Sequence, residues 1–453
     1  MSKEIDKDIF GGQSIPKVIA KFAVPTILSQ MVTLLYNLAD TFFVGHTNDP
    51  AEVAALTLSF PLFMSLTMIG NLFGIGGNSL IARSLGMGDR EKAKSTSTFA
   101  FYGAMAATVL LILIMSIYIS PILNIVGART EDVFLATKSY LNWTVIYGGL
   151  PTVASLMLGH FIRAEGNTKQ ASIGMAVGGI LNIALDPIFV QGLGMGAGGA
   201  GLATFLANIV SCIYLLTVVF KSKDTVIILN ISKLKFIKGI IKEVILVGIP
   251  AAVIIILGSS ANMVLTHHMS DYGEVSVAAF GVVQKIGTIT IQITIGLTQG
   301  IMPLLGFSYG SGNMERVRDI NRWAFGILGA YATLCIVLIE IFAKELMLSF
   351  IGEPETVKTG IIFMRIWILC AVGMCFTNLF NSIFQAMGKW FQSLMLSVIR
   401  QAILLIPLLI VLNKCFGVYG LVLSQPIADT AALVIGIFMY LGLLREQKLS
   451  GNL

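Results

Sequence analysis

Two acidic side chains lie in stretches otherwise apolar enough for lipid: Asp40 in MVTLLYNLADTFFVG and Asp186 in GGILNIALDPIFV. A carboxylate in hydrocarbon is costly, so such a residue marks a functional site whose partner has to be found. Asn182 stands one helical turn before Asp186. Gln30, Thr33, Asn37 and Asp40 recur at spacings of 3, 4 and 3, which a helix presents as one stripe, with Tyr36 beside it. Thr204, and Ala200 through its backbone, fall near the start of a later apolar run, at the same depth as both acids. Two carboxyls, an amide, a hydroxyl and backbone carbonyls on one level suit a proton or a hard cation such as Na⁺, which prefers oxygen ligands. Two neighbouring carboxylates resist simultaneous ionisation, so uptake and release of that ion near neutral pH is the expected chemistry. The bland alternatives are that each Asp hydrogen-bonds a bent helix, and that Gln30 and Thr33 only pack one helix on another.

These residues need a membrane scaffold, and the composition supplies one. Of 453 residues, 56% are hydrophobic and only 12% charged, about half the charged share of a soluble domain. The N-terminus mixes both charge signs and has no short apolar core with a cleavage site, so no signal peptide is expected. The five cysteines lie in or beside apolar runs and read as packing residues rather than disulfides. The net charge of +6 reflects basic loops rather than nucleic-acid binding.

Apolar runs long enough to cross a bilayer, about 20 residues each, fall near 16–45, 52–83, 95–120, 131–160, 170–190, 197–220, 239–266, 275–308, 322–343, 356–386, 391–413 and 417–443. The expected fold is therefore an all-α membrane protein with twelve transmembrane helices. Most Lys and Arg residues collect on one side. They include Lys3, Lys7, Arg83, Arg90, Arg163, Lys169, Lys221 to Lys242, Arg316, Arg318, Lys389, Arg445 and Lys448. The positive-inside rule then places both termini in the cytoplasm of a multi-pass plasma-membrane protein.

The chain also repeats. Pro25 aligns with Pro250, Asn37 with Asn262, VAAL at 53–56 with VAAF at 277–280, and Pro187 with Pro407. Two pseudo-symmetric six-helix lobes follow, 1–222 and 239–453, joined by a basic cytoplasmic linker at 223–238. Eight of the twelve prolines lie inside spans, so bent helices are expected. The repeat is chemically lopsided: Leu265 stands where Asp40 does, and Ile406 where Asp186 does. The second half offers uncharged groups instead: Asn262, Gln284, Thr288, Gln292 and Gln299, then Met374, Asn378, Asn381 and Gln385 flanked by Phe376, Phe380 and Phe384. Amides, thioethers and ring faces accommodate varied ligands, so these are candidate substrate-cavity residues, with helix packing as the alternative. Lys285, near mid-membrane with no sequence neighbour to pair with, is either a counter-charge or a residue facing a wet cavity. Arg400 and Asp429 read as structural partners.

Taken together, Pro25…Asn37-x-x-Asp40, ARSLGMGD, RAEGNTK and NIALDP resemble the multidrug and toxic compound extrusion (MATE) family, on its prokaryotic DinF-type and MepA-like branch. The resemblance implies a V-shaped pair of lobes exporting organic cations and amphipathic compounds in exchange for H⁺ or Na⁺. It places the coupling site at Asp40, Asn182, Asp186, Ala200 and Thr204, with Na⁺ held between Asp40 and Asp186 if Na⁺ is the ion. Acidic residues of the second-half cavity in some relatives have no match here, where Gln284 and Lys285 stand. A monomer without a cofactor, and no enzyme, is expected. The competing readings are a flippase of lipid-linked or polysaccharide precursors, which needs a cationic cavity, and a prenyltransferase, which needs clustered metal-binding acids that the chain lacks. Gly194, Gly196 and Gly199 fit a dinucleotide pattern but lie between membrane helices, outside its required context.

Overall fold

A computed structural model describes residues 14–47, 49–230 and 239–449. Within them the chain is almost entirely helical, with no strand. Its spans are α1 Ile15–Gly45, α2 Pro50–Gly86, α3 Arg90–Val126, α4 Glu131–Ala164, α5 Thr168–Gly192, α6 Gly196–Lys221, α7 Ile240–Ser270, α8 Gly273–Gly310, α9 Met314–Leu348 and α10 Pro354–Ala386, then α11 at 390–416 and α12 at 418–449. The polar helix ends carry these spans several residues beyond the apolar runs. Lys3, Lys7 and residues 231–238 of the basic linker lie outside the described residues, as does the Lys448 side chain.

α4 and α10 are broken spans, bent by 51° at Gly148 and 41° at Leu369. They are equivalent in the repeat, yet only α4 has a proline (Pro151) near its break. From Trp390 to Glu446, α11 and α12 form one 57-residue run, which as a straight helix would measure about 86 Å, far more than a bilayer. The chain turns back at Gly417, whose φ of 59° and ψ of −141° suit only glycine. A side chain on Gly420 would strike the Leu412 carbonyl, which a straight helix would hold about 12 Å away. Twelve spans result among the described residues.

Each half has its own core. Leu66, Leu80, Val145, Leu158, Phe161 and Leu215 are buried in the first lobe; Leu304, Phe363, Ile368, Phe380, Phe384 and Leu396 fill the second. α1 belongs to both. Its first turns bury Val18, Ile19, Phe22 and Ala23 in the second lobe's core, while its last turns carry Asp40 into the first lobe. The lobes meet on the side where the termini lie. There Gly300 of α8 lies against the backbone of Ala23, and Gly248 of α7 against the Leu72 carbonyl. Glu243 at the start of α7 pairs with Arg83 at 3.4 Å and Lys92 at 3.0 Å, adding charge contacts to that seal. On the opposite side, Asn37, Asn262 and Lys285 are exposed and Gln284 is half-buried. Polar side chains at these depths face water rather than lipid, so the lobes splay around a wet cleft there.

The described part of the linker does not hang free. Residues 226–229 lie along α3, where Ser97, Thr98 and Tyr102 donate to the carbonyls of Val226, Ile228 and Leu229.

Candidate functional site

Asp40 and Asp186 reach the same level from different helices because α1 and α5 pack closely. Gly179 of α5 sits against Val32 of α1, and Gly178 lies against the Ala207 carbonyl of α6. Pro187, lacking an N–H, leaves the Ile183 carbonyl without its helical partner. The chain answers with a π-helical turn, Pro187–Gly192, directly after Asp186. The break that the sequence places beside an acid thus ends the regular α-helical part of α5 at Asp186.

The two carboxyls face one another within hydrogen-bonding reach, and Asp40 also touches Asn182 and Thr204. Asp186 is fully buried and Asp40 is 6% exposed. With the Asn182 nitrogen toward Asp40, it donates to Asp40 Oδ1 at 3.0 Å, while its oxygen accepts from Thr204 N at 3.3 Å and Oγ1 at 3.2 Å. Among the described residues, neither oxygen of Asp186 has a donor. Ala200 is buried one turn before Thr204 on α6. Tyr140 of α4, 8% exposed, lies close enough to both acids for their charges to act on it. Tyr140 went unnoticed in the sequence because nothing in its neighbours marks it off from an interfacial aromatic. Two facing carboxylates, one with no such donor, are not stable bare in a buried site; the arrangement calls for a proton or cation between them.

Beside this group a cavity of about 390 Å³ runs through the first lobe. Gln30, Thr33, Tyr36 and Asn37 form its α1 wall, so the stripe faces one space, and Asn182 and Thr204 border it from α5 and α6. Gln30 also donates to Gln299 of α8 at 3.3 Å, a hydrogen bond between the lobes. The second lobe adds only Ile255, Gln292, Ile295 and Gln299.

The expected second-half cavity residues are therefore dispersed. Gln292 lines the cavity. Gln284 donates to Asn262 at 2.7 Å on the exposed cleft face, with Lys285 exposed beside them. Thr288 turns back onto the Gln284 carbonyl, and Asn378 onto the Met374 carbonyl. Met374 and Asn381 do not line this cavity: Met374 is 2% exposed in the second core, and Asn381 accepts from Ser393 at 3.0 Å. Their apolar neighbours, Phe380 and Phe384, fill that core instead of lining a pocket. Arg400 and Asp429 form a buried pair at 2.5 Å. Arg163 corrects a loop assignment: α4 continues to Ala164, so Arg163 is inside the protein at 1% exposure and lines the cavity with His160. A basic residue within two positions of a loop carries no sequence signal that it turns inward.

Among the described residues no cluster of three or more His, Cys, Asp or Glu could hold a metal ion. What the pair does offer is oxygen: four carboxyl oxygens with the Thr204 hydroxyl nearby.

The MatE family model matches residues 25–188 and 250–411, one copy in each lobe. The multidrug export protein MepA of Staphylococcus aureus is 28% identical over 431 residues, covering 94% of this chain and 93% of its own. MepA of Staphylococcus saprophyticus is 28% identical over 438 residues, covering 95% of each chain. Among solved structures, one of MATE in complex with MaL6 superposes with a TM-score of 0.90 at 25% identity, over 97% of this chain and 98% of its own. An outward-facing multidrug resistance MATE transporter matches the fold with a TM-score of 0.90 at 24% identity, over 97% of each chain.

Proposed function

The chain belongs to the MatE family, and from that premise we propose that it exports small amphipathic or cationic compounds across the plasma membrane by exchange against an inward-moving ion. The observation that carries the reading is the Asp40–Asp186 pair beside the first-lobe cavity. The curated relatives are multidrug export proteins over nearly their whole length, which supports the substrate class. It is a transporter and not an enzyme.

Both termini are cytoplasmic in this reading, so the seal at Gly300, Gly248 and Glu243 closes the cytoplasmic side and the cleft opens outward. The ion enters from outside and sits between Asp40 and Asp186. The proton is the favoured ion. With its nitrogen toward Asp40, Asn182 presents a donor rather than an oxygen ligand to the pair, which suits a proton shared by two carboxyls better than Na⁺. Na⁺ would instead be held by the carboxyl oxygens and the Thr204 hydroxyl, with the Asn182 amide turned over.

α1 links ion and cargo. It carries Asp40 at one end, lines the cavity with Gln30, Thr33, Tyr36 and Asn37, and is anchored in the second lobe's core at the other. Exchange requires ion and cargo to prefer different states of the lobes. Ethidium accumulation in cells expressing the wild type, Asp40→Asn or Asp186→Asn tests this. Export by the wild type and its loss in both variants is expected, and export unchanged in both variants removes the pair from the mechanism. The transporter acts as a monomer, since one chain holds both the pair and the cavity.

A further inference from the structure

The cavity has opposite charges at its two ends. At the far end lie Asn182 and Thr204, backed by the carboxyl pair. At the end nearer the termini lies Arg163. Met175 marks its depth: Arg163 Nη2 contacts Met175 Sδ at 2.7 Å, and Met175 sits two turns before Asn182 on α5, about 10 Å along the helix axis.

Arg163 is 1% exposed and has no carboxylate partner among the described residues. Glu165, the nearest acid in sequence, is turned away onto Thr225 and Val226. A thioether is a weak acceptor, and Arg163 Nε has no hydrogen-bond partner among the described residues. A guanidinium kept ionised inside a protein normally has its fork filled by an anion. Next to it His160 lines the same cavity, with Asn71 Oδ1 at 3.4 Å from its Nε2. The walls between the two ends include Phe63, Met64, Leu156 and Ile295, which suit a flat apolar body.

We propose that Arg163 is an anion-accepting subsite, and that the anion is a carboxylate carried by the cargo. The transported compounds then include zwitterionic amphiphiles whose acid seats on Arg163 while the apolar body lies along the cavity. This rests on the export reading and adds to it a specificity-determining contact. A monovalent anion from solution, such as chloride, has the same chemistry, and the experiment separates the two sources.

Rhodamine 110 and rhodamine 123 share one aromatic body; the first bears a free carboxylate and the second its methyl ester. Their affinities for the full-length protein in nanodiscs of zwitterionic lipid are read by fluorescence polarisation, so the result does not depend on coupling or transport. Wild type is expected to bind rhodamine 110 more tightly than rhodamine 123. Arg163→Gln is expected to weaken rhodamine 110 by about 10- to 100-fold, the range for removing one partner of a charged hydrogen bond, and to change rhodamine 123 less than 3-fold. Arg163→Lys, which keeps the charge, is expected to restore most of the preference. Equal affinities in wild type overturn the assignment without any variant, which keeps it testable if Arg163→Gln fails to fold. Equal weakening of both dyes overturns it in favour of a structural role. Chloride that strengthens rhodamine 123 binding in wild type overturns it in favour of an anion from solution. If the dyes bind as expected but neither is exported, the export reading fails while the subsite stands.

Discussion

Replacing Gly300 with alanine tests whether the seal between the lobes holds the state described here. A Cβ at that position would stand 2.7 Å from the Ala23 Cα and 2.9 Å from the Phe22 carbonyl oxygen. Non-bonded carbon atoms rest at about 3.5 to 4.0 Å, so α1 and α8 must separate by about 1 Å. Both obstacles are backbone, and no rotamer change relieves them. Overpacking of this kind costs about 1–3 kcal/mol, which shifts the balance between outward- and inward-open states by about 5- to 150-fold. The far-side ends of the lobes report that balance. Spin labels at Gln191 and Asp271, both exposed at helix ends on the cleft side, are placed in a background without the native cysteines, and their separation is read by double electron–electron resonance. Wild type should give one long distance, and Gly300→Ala a second, shorter population. Gly296→Ala, whose Cβ would meet the Ile27 Cα at 2.6 Å, should act in the same direction. Unchanged distributions in both variants, with both proteins folded, would refute the claim that this helix contact sets the state.

Three further outcomes follow from the same geometry. Asn182→Leu removes the donor to Asp40 and the acceptor for Thr204, and gradient-driven dye export should fall at least about tenfold, the effect of losing one charged hydrogen bond. Arg400→Met strands Asp429, which Gln425 alone then contacts at 2.9 Å, and should cost about 3–5 kcal/mol, read as a lower Tm; adding Asp429→Leu should recover most of it. Burial pushes the Glu165 carboxyl above its ordinary range, against the opposing hydrogen bonds of Val226 and Thr225 and the charge of Arg90. A raised folded-state value means its contribution to stability is full at pH values below the unfolded-state pKa and is lost as pH rises through the raised one. Hydrogen exchange in the strap at 223–230, corrected for intrinsic rates, should therefore be faster at pH 8 than at pH 5, and Glu165→Gln should flatten that difference.

Span number and the lopsided chemistry of the two lobes were legible because they rest on composition and spacing. Lipid demands long apolar helices, and an acid inside one stands out. The meeting of Asp40 and Asp186 was legible as a shared depth, since rise per residue converts sequence position into height. Rotation about the helix axis was not. Met374 and Asn381 follow the same depth logic yet point into the second core, because which face of a helix is buried depends on its neighbours. Arg163 escaped for the complementary reason: near a loop, only the extent of α4 decides whether a basic side chain reaches water or turns inward. The breaks divide likewise. Pro187 announces the π turn beside the pair, whereas the bend at Leu369 has no proline beside it to mark it in the sequence.

Purified protein in proteoliposomes, driven by a pH gradient alone or by a Na⁺ gradient alone, tests the exchange at the Asp40–Asp186 pair most directly. Dye export under the pH gradient, abolished in Asp40→Asn and in Asp186→Asn while both variants still bind dye, is the predicted result. Export that proceeds in both variants at the wild-type rate would contradict the account.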